Sequence, residues 1–179
     1  KKDYITRLNS LAASLSSVGQ IEEAINLQKE ALDILKEAYS KDSDRWMKNY
    51  TLSINNLANS LRGNHEIDEA INLYKKALDI LKEACSKNPD IWIEHYRIIL
   101  NNLSSCYRNV NQADEAIKLE EVVLEILKEA YNENSEELME DSTISLNNLA
   151  NSFSDINQTE EAIKLEKEAL EILKKAYNK

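Results

Sequence analysis

Glu22-Glu23-Ala24-Ile25-Asn26-Leu27 returns as Asp68-Glu69-Ala70-Ile71-Asn72-Leu73, and the same alanine recurs at Ala116 and Ala162. Each return lies 46 residues after the last. Two further series keep the same step: Leu11, Leu57, Leu103 and Leu149, and Ile34, Ile80, Ile126 and Ile172. A period that never slips is the signature of a repeat architecture, in which each unit buries its apolar face against the next. The expected array is single and spans residues 1–179, with units at 4–49, 50–95, 96–141 and 142–179.

Each unit reads as two helices. Tyr50, Ile54, Leu57 and Leu61 are spaced 4, 3 and 4, one stripe of a 3.6-residue period. After Arg62-Gly63-Asn64-His65, a second stripe follows at Ala70, Leu73, Ala77, Ile80 and Ala84. Leu78 and Leu81 add apolar residues on another side, the pattern of a helix held between neighbours. Small residues recur on the first helix (Ala12, Ala58, Ser104, Ala150) and on the second (Ala24, Ala70, Ala116, Ala162), so the two can approach closely. The predicted fold is all-α, four antiparallel hairpins of eight helices.

The turns follow from residue chemistry. One slot holds Gly19, His65, Asn111 and Asn157, where a left-handed residue ends a helix. Ser43, Pro89 and Ser135 sit where the next helix begins: serine caps a start and proline fits a first turn. Asp44, Asp90 and Glu136 then place negative charge at the positive end of the dipole.

Composition narrows the function. Only two glycines and one proline occur, which leaves little room for sheets or glycine-rich phosphate loops. The net charge of −10 opposes nucleic acid and anionic membrane surfaces as partners, since both need a basic face. No apolar run is long enough to cross a bilayer. No secretory signal is visible, and an initiator methionine is absent, so a segment of a longer chain is expected. Cys85 and Cys106 form neither a CxxC pair nor a metal spacing, which fits a reducing, cytoplasmic location. His65 and His95 fall in unrelated slots, so no metal or cofactor is expected. No GxSxG, HExxH or phosphate-loop motif is present, and the glutamates follow helix spacing with lysine, so no enzymatic activity is expected.

Leu146-Asn147-Asn148-Leu149-Ala150-Asn151-Ser152, a turn, Glu160-Glu161-Ala162-Ile163 and Ala169-Leu170-Glu171-Ile172-Leu173 together resemble the tetratricopeptide repeat. More narrowly, the 46-residue period resembles the long repeat of kinesin light chains and of many bacterial multidomain proteins. The resemblance covers essentially the whole chain. It implies a right-handed superhelical solenoid whose first helices line a concave groove that binds a protein or an extended peptide. The chain departs from the family pattern at Leu15 and Leu61, where an aromatic is usual and where Tyr107 and Phe153 supply one. The aromatic of the second helix is present only as Tyr74, its slot holding Gln28, Glu120 and Glu166 elsewhere.

The resemblance makes polar first-helix residues the groove candidates. One row is Asn9, Asn55, Asn101 and Asn147. The next is Ala13, Asn59, Ser105 and Asn151, and the third Ser16, Arg62, Arg108 and Ser154. An asparagine amide offers donors and an acceptor, so it can pair with an extended backbone whatever its side chains. The same amides could instead bond helix carbonyls, water, or Asn56, Asn102 and Asn148 beside them. Arg62 and Arg108 could read a carboxylate, or could be a solvated pair. The rungs lack the lysines of the family's carboxylate clamp, so that specialised ligand is not expected.

Three further readings concern packing. Trp46 and Trp92 share a slot with Leu138, either as core between units or as an anchor for a partner. Cys85 shares a slot with Tyr39, Tyr131 and Tyr177, and Cys106 with Ser14, Ser60 and Ser152, which makes both thiols packing residues. No polar capping helix follows the last unit, so part of the set Ile163, Leu170 and Leu173 should be exposed. The array then either continues in a parent protein or packs end to end with another copy. The alternative to a binding groove is therefore a structural or regulatory arm of a larger protein.

Overall fold

The computed structural model describes residues 2–130 and 136–177. Among these residues the chain forms eight α-helices and no strand. They are α1 (Lys2–Ser17), α2 (Ile21–Lys41), α3 (Ser43–Gly63), α4 (Ile67–Lys87), α5 (Pro89–Asn109), α6 (Ala113–Ala130), α7 (Glu136–Asp155) and α8 (Thr159–Tyr177). The chain divides into two compact units, Lys1–Pro89 and Asp90–Lys179. Tyr131, Asn132 and Ser135, with the side chains of Glu136, Leu138 and Tyr177, lie outside the described residues.

In the first unit, α2 packs against α1 and α3, and α3 packs against α4. Helix α3 is therefore gripped on two sides, and it buries Tyr50, Ile54, Leu57, Ala58 and Leu61. Leu57 is 2% exposed, whereas Leu11, its counterpart on α1, is 52% exposed. The wholly buried Ala12, Ala24, Ala58 and Ala70 bring the helix backbones together. On α4 the buried set is Ala70, Ile71, Tyr74, Ala77, Leu81 and Ala84. This corrects the expected stripe, because Leu73 and Ile80 are only half-buried. Tyr74 and Leu81 interleave with the three alanines at spacings of 4, 3, 4 and 3. Their bulk fills the seam that the alanines leave open, and the leucine and isoleucine flank it.

In the second unit, α7 packs against α6 and α8. Its core joins Ile117 and Leu124 of α6, Leu146 and Leu149 of α7 and Ala169 of α8. Phe153, Ile156, Leu165 and Ile172 close around that cluster. Phe153 thus takes the packing place that the repeat pattern reserves for an aromatic.

All four hairpin turns use one geometry. Gly19, His65, Asn111 and Asn157 have φ of 80°, 64°, 58° and 62°. In each, the amide of the next residue donates to a carbonyl five back, as Gln20 does to Leu15 (2.9 Å) and Glu66 to Leu61 (2.9 Å). The left-handed residue itself donates three back, Gly19 to Ser16 and His65 to Arg62. This pair of bonds satisfies the last carbonyls of the first helix. The carbonyl of the following residue then accepts from Ala24, Ala70, Ala116 or Ala162 and starts the second helix. Two residues reverse the chain, so the period cannot drift.

The link from α2 to α3 is a single residue. The Asp42 amide donates to the Ala38 carbonyl and closes α2, while its carboxylate accepts from the Arg45 amide (3.1 Å) and opens α3. The cap is therefore Asp42, with Ser43 inside the first turn, because a carboxylate one residue earlier already reaches that amide. Asn88 closes α4 in the same way, and Pro89 takes the first position of α5.

A left-handed backbone is open to histidine and asparagine but a true outlier for a β-branched residue. His65 is exposed, so its side chain adds little burial. Changing His65 to isoleucine is expected to lower stability by about 1–2 kcal/mol. The asparagine variant should stay within about 0.5 kcal/mol of the native chain. Urea unfolding of both variants checks this, and equal losses would mean that the turn does not depend on its left-handed residue.

Candidate functional site

Positions 55, 59 and 62 fall on one side of α3, since residues four and three apart share a helix face. Their neighbours Ile54, Ala58 and Leu61 are buried, so the polar row runs along the edge of the packed face. In the first unit, Asn9 and Ser16 of α1 are half-buried and Ala13 is exposed. Asn55, Asn59 and Arg62 of α3 are all half-buried. The Asn59 oxygen accepts from the Tyr74 hydroxyl (2.8 Å) and from Arg62 Nη2 (3.3 Å). That amide is tied into the hairpin by its oxygen.

In the second unit, Asn101, Ser105 and Arg108 of α5 are half-buried. Asn147, Asn151 and Ser154 of α7 are exposed. The Asn101 side-chain oxygen is buried without a hydrogen-bond partner among the described residues. Arg108 Nη1 donates to the Asn148 carbonyl (3.3 Å), and its Nε lies 3.9 Å from a Glu120 oxygen. The carboxylate that Arg108 faces is therefore one of its own chain. At these slots Arg108 on α5 bonds to Asn148 on α7, first helix to first helix.

Glu120 is a group that the repeat pattern alone does not single out. It is 1% exposed, and the Ser104 hydroxyl donates to its Oε1. Burial pushes its carboxyl above the ordinary value of 4.5, and Asp155 adds to this. The bond from Ser104, the nearby Ser152 hydroxyl and the Arg108 charge pull the other way, in that order. Ser152 lies close enough to be felt but completes no hydrogen bond, and Glu120 Oε2 is also unmatched among the described residues. The signal in the sequence is the slot: Glu120 stands where Tyr74 stands one repeat earlier, a position that the period marks as interior.

Arg97 is a second charged group of this kind. It is nearly buried on α5, binds Glu94 through two nitrogens (2.9 and 2.7 Å) and reaches Asp141 of α7 at 2.8 Å. Its slot holds Thr51 and Thr143 in other repeats, whose hydroxyls donate to Met47 and Met139 carbonyls within their own helices. The arginine spans helices where the threonines do not.

The remaining candidates are packing features. Trp46 and Trp92 are half-buried, with Arg45 over the Trp46 ring (5.6 Å) and His95 edge-on to Trp92 (5.7 Å). Cys106 is wholly buried, and burial pushes the Cys85 thiol up, away from the reactive thiolate. Among the described residues no group of three His, Cys, Asp or Glu side chains could hold a metal ion. None of their helices is long and apolar enough to cross a membrane.

Models of the tetratricopeptide repeat match residues 5–44, 50–129 and 98–175. A solved structure described as kinesin light chain nearly identical TPR-like repeats, from Podosopora anserina, is 21% identical. It superposes with a TM-score of 0.75 over 96% of this chain and 76% of that one. BtubC (BKLC) from P. vanneervenii is 18% identical, with a TM-score of 0.77 over 97% of this chain and 64% of that one. The apo form of RapI is 17% identical, with a TM-score of 0.76 over 98% and 58%. No curated protein matches the chain.

Proposed function

The chain belongs to the tetratricopeptide-repeat family, and we propose that it is a non-catalytic protein-interaction scaffold that holds an extended peptide along the polar faces of its first helices. One observation carries the reading. On the first helix of each hairpin, residues at the same three slots, polar everywhere except Ala13, are left half-buried or exposed along the edge of the packed face. Solenoids of this family offer such a face to partners, and backbone-pairing amides at regular intervals suit an extended chain. The asparagines fix the peptide backbone. Arg62 adds a cation beside Asn59, so an acidic side chain on the ligand fits that rung.

The test is a pull-down from lysate of the source cell with the native chain and with a triple variant, Asn55→Leu, Asn101→Leu and Asn147→Leu, after circular dichroism shows equal helicity. A partner held by the native chain is expected to bind the variant at least about tenfold more weakly, since each lost amide pair is worth about 1 kcal/mol. Equal retention would overturn the groove reading. It would favour a structural arm, which a second observation supports: Ile163, Leu170 and Leu173 of α8 are 43%, 50% and 49% exposed. An apolar face of that kind suits a further repeat or another copy.

A further inference from the structure

On the second-helix side of the second unit lies a cleft of about 560 Å³. Its floor is Leu124 of α6, Leu149 and Phe153 of α7 and Leu165 of α8. Its rim holds Glu121 and Glu125 of α6 and Glu161, Lys164 and Glu168 of α8. The floor draws on the apolar core of this unit: Leu124 and Leu149 belong to its buried cluster, and Phe153 and Leu165 pack against it. The lining differs from the polar rows of the first helices, being apolar below and acidic above.

The rim charges are the informative part. On the same two helices Lys118 binds Glu115 and Lys174 binds Glu171. Among the described residues, none of the four rim carboxylates forms an ion pair, although Lys164 stands three residues from Glu161 and four from Glu168. Among the described lining residues, four exposed carboxylates stand against one ammonium and make a negative rim around an apolar floor. A second copy of this acidic chain would meet that field with like charge, which disfavours self-association here.

We propose that this cleft is a second interaction site, separate from the first-helix faces, for a cationic segment of a partner protein. That segment carries a leucine-sized or aromatic side chain flanked by lysine or arginine. The apolar side chain enters between α6 and α8 onto Leu124, Phe153 and Leu165. The flanking cations pair with Glu121 and Glu125 on one wall and with Glu161 and Glu168 on the other. The arrangement follows the usual division of labour at interfaces, in which a buried anchor supplies affinity and rim charges supply selection and rate.

The probe is a short labelled peptide built only of leucine and lysine, measured against the whole chain by fluorescence anisotropy and by amide chemical-shift mapping. Two controls accompany it, one with glutamate for lysine and one with serine for leucine. Binding is expected for the leucine–lysine peptide alone, with shifts centred on Glu121, Glu125, Lys164, Leu165 and Glu168. The double variant Glu121→Lys and Glu161→Lys should weaken it at least about tenfold, and higher salt should weaken it further. These positions are exposed, so the variant should keep its fold. Equal binding of the serine–lysine peptide would reduce the site to unspecific charge attraction and overturn the proposal. Shifts centred on Asn147 and Asn151 would assign the peptide to the first-helix face, and they or an absence of binding would overturn it as well. Retained binding by the Asn55/Asn101/Asn147→Leu variant keeps this test independent of the groove reading.

Discussion

Replacing Tyr74 by alanine is expected to cost about 3–5 kcal/mol, the range for removing a large aromatic from a core. Tyr74 is wholly buried on α4, between Ala70 and Ala77, which are too small to fill its place. Its hydroxyl donates to Asn59 on α3 at 2.8 Å, so one side chain both fills and ties the hairpin. The phenylalanine variant separates the two contributions. It keeps the ring and loses only the bond, and should cost about 0.5–1.5 kcal/mol. Urea unfolding followed by circular dichroism measures both. A loss below about 1 kcal/mol for the alanine variant would mean that α3 and α4 collapse onto the vacancy, and that the alanine pairs alone close the hairpin.

Much of this hairpin is legible in the residues themselves. The step of 46 residues locates every helix pair, because a rigid repeat leaves no room for insertions. The turn slot is readable from Gly19, Asn111 and Asn157, residues that accept a left-handed backbone, and His65 obeys the same demand. The α4 stripe is not, since Leu73 has the pattern of a core residue and Tyr74 only that of a remnant family aromatic. Hydrophobicity ranks both as interior, and the direction of the neighbouring helix decides between them. The cap of α3 falls at Asp42, one residue before the expected Ser43, for a similar reason: both are good caps, and only backbone geometry chooses.

The polar rows are legible as rows, but their hydrogen bonds are not. Asn59 and Arg108 are the clearest cases. Each has the spacing of a rung offered to a ligand, and each already has partners inside its own unit: Tyr74 and Arg62 for the first, Asn148 and Glu120 for the second. Tyr74 lies 15 residues from Asn59, and Asn148 lies 40 from Arg108. Periodicity within one helix says nothing about bonds over such separations. The acidic cleft is hidden for the same reason. Glu121, Glu125, Glu161 and Glu168 read as solvated helix faces, and only the packing of α6 and α8 over Phe153 gathers them around one apolar floor.

The chain should lose stability as pH rises through the titration of Glu120, and changing that residue to glutamine should remove this loss. The sign follows from the buried carboxyl. Its value in the folded chain is raised above the ordinary 4.5, chiefly by burial. The folded state therefore holds the proton more tightly than the unfolded one. This group's favourable contribution is complete below 4.5, declines as pH climbs from 4.5 through the raised value, and is absent above it. Above the raised value the chain carries a charge in a place that disfavours it, with Arg108 at 3.9 Å too distant for a close pair. A glutamine keeps the acceptor for Ser104 and adds a donor toward the unmatched Ser152 hydroxyl. It should be more stable than the native chain above the raised value, with the difference closing as pH falls toward 4.5. The alanine variant should be less stable throughout, by about 1–3 kcal/mol, because the Ser104 hydroxyl is left buried without its acceptor. Thermal unfolding of the three chains between pH 4 and 8 decides the matter. A glutamine variant less stable than the native chain at pH 7 would show that Arg108 and Glu120 act as a true buried ion pair, and the slot that Tyr74 fills with an aromatic would then be held here by charge.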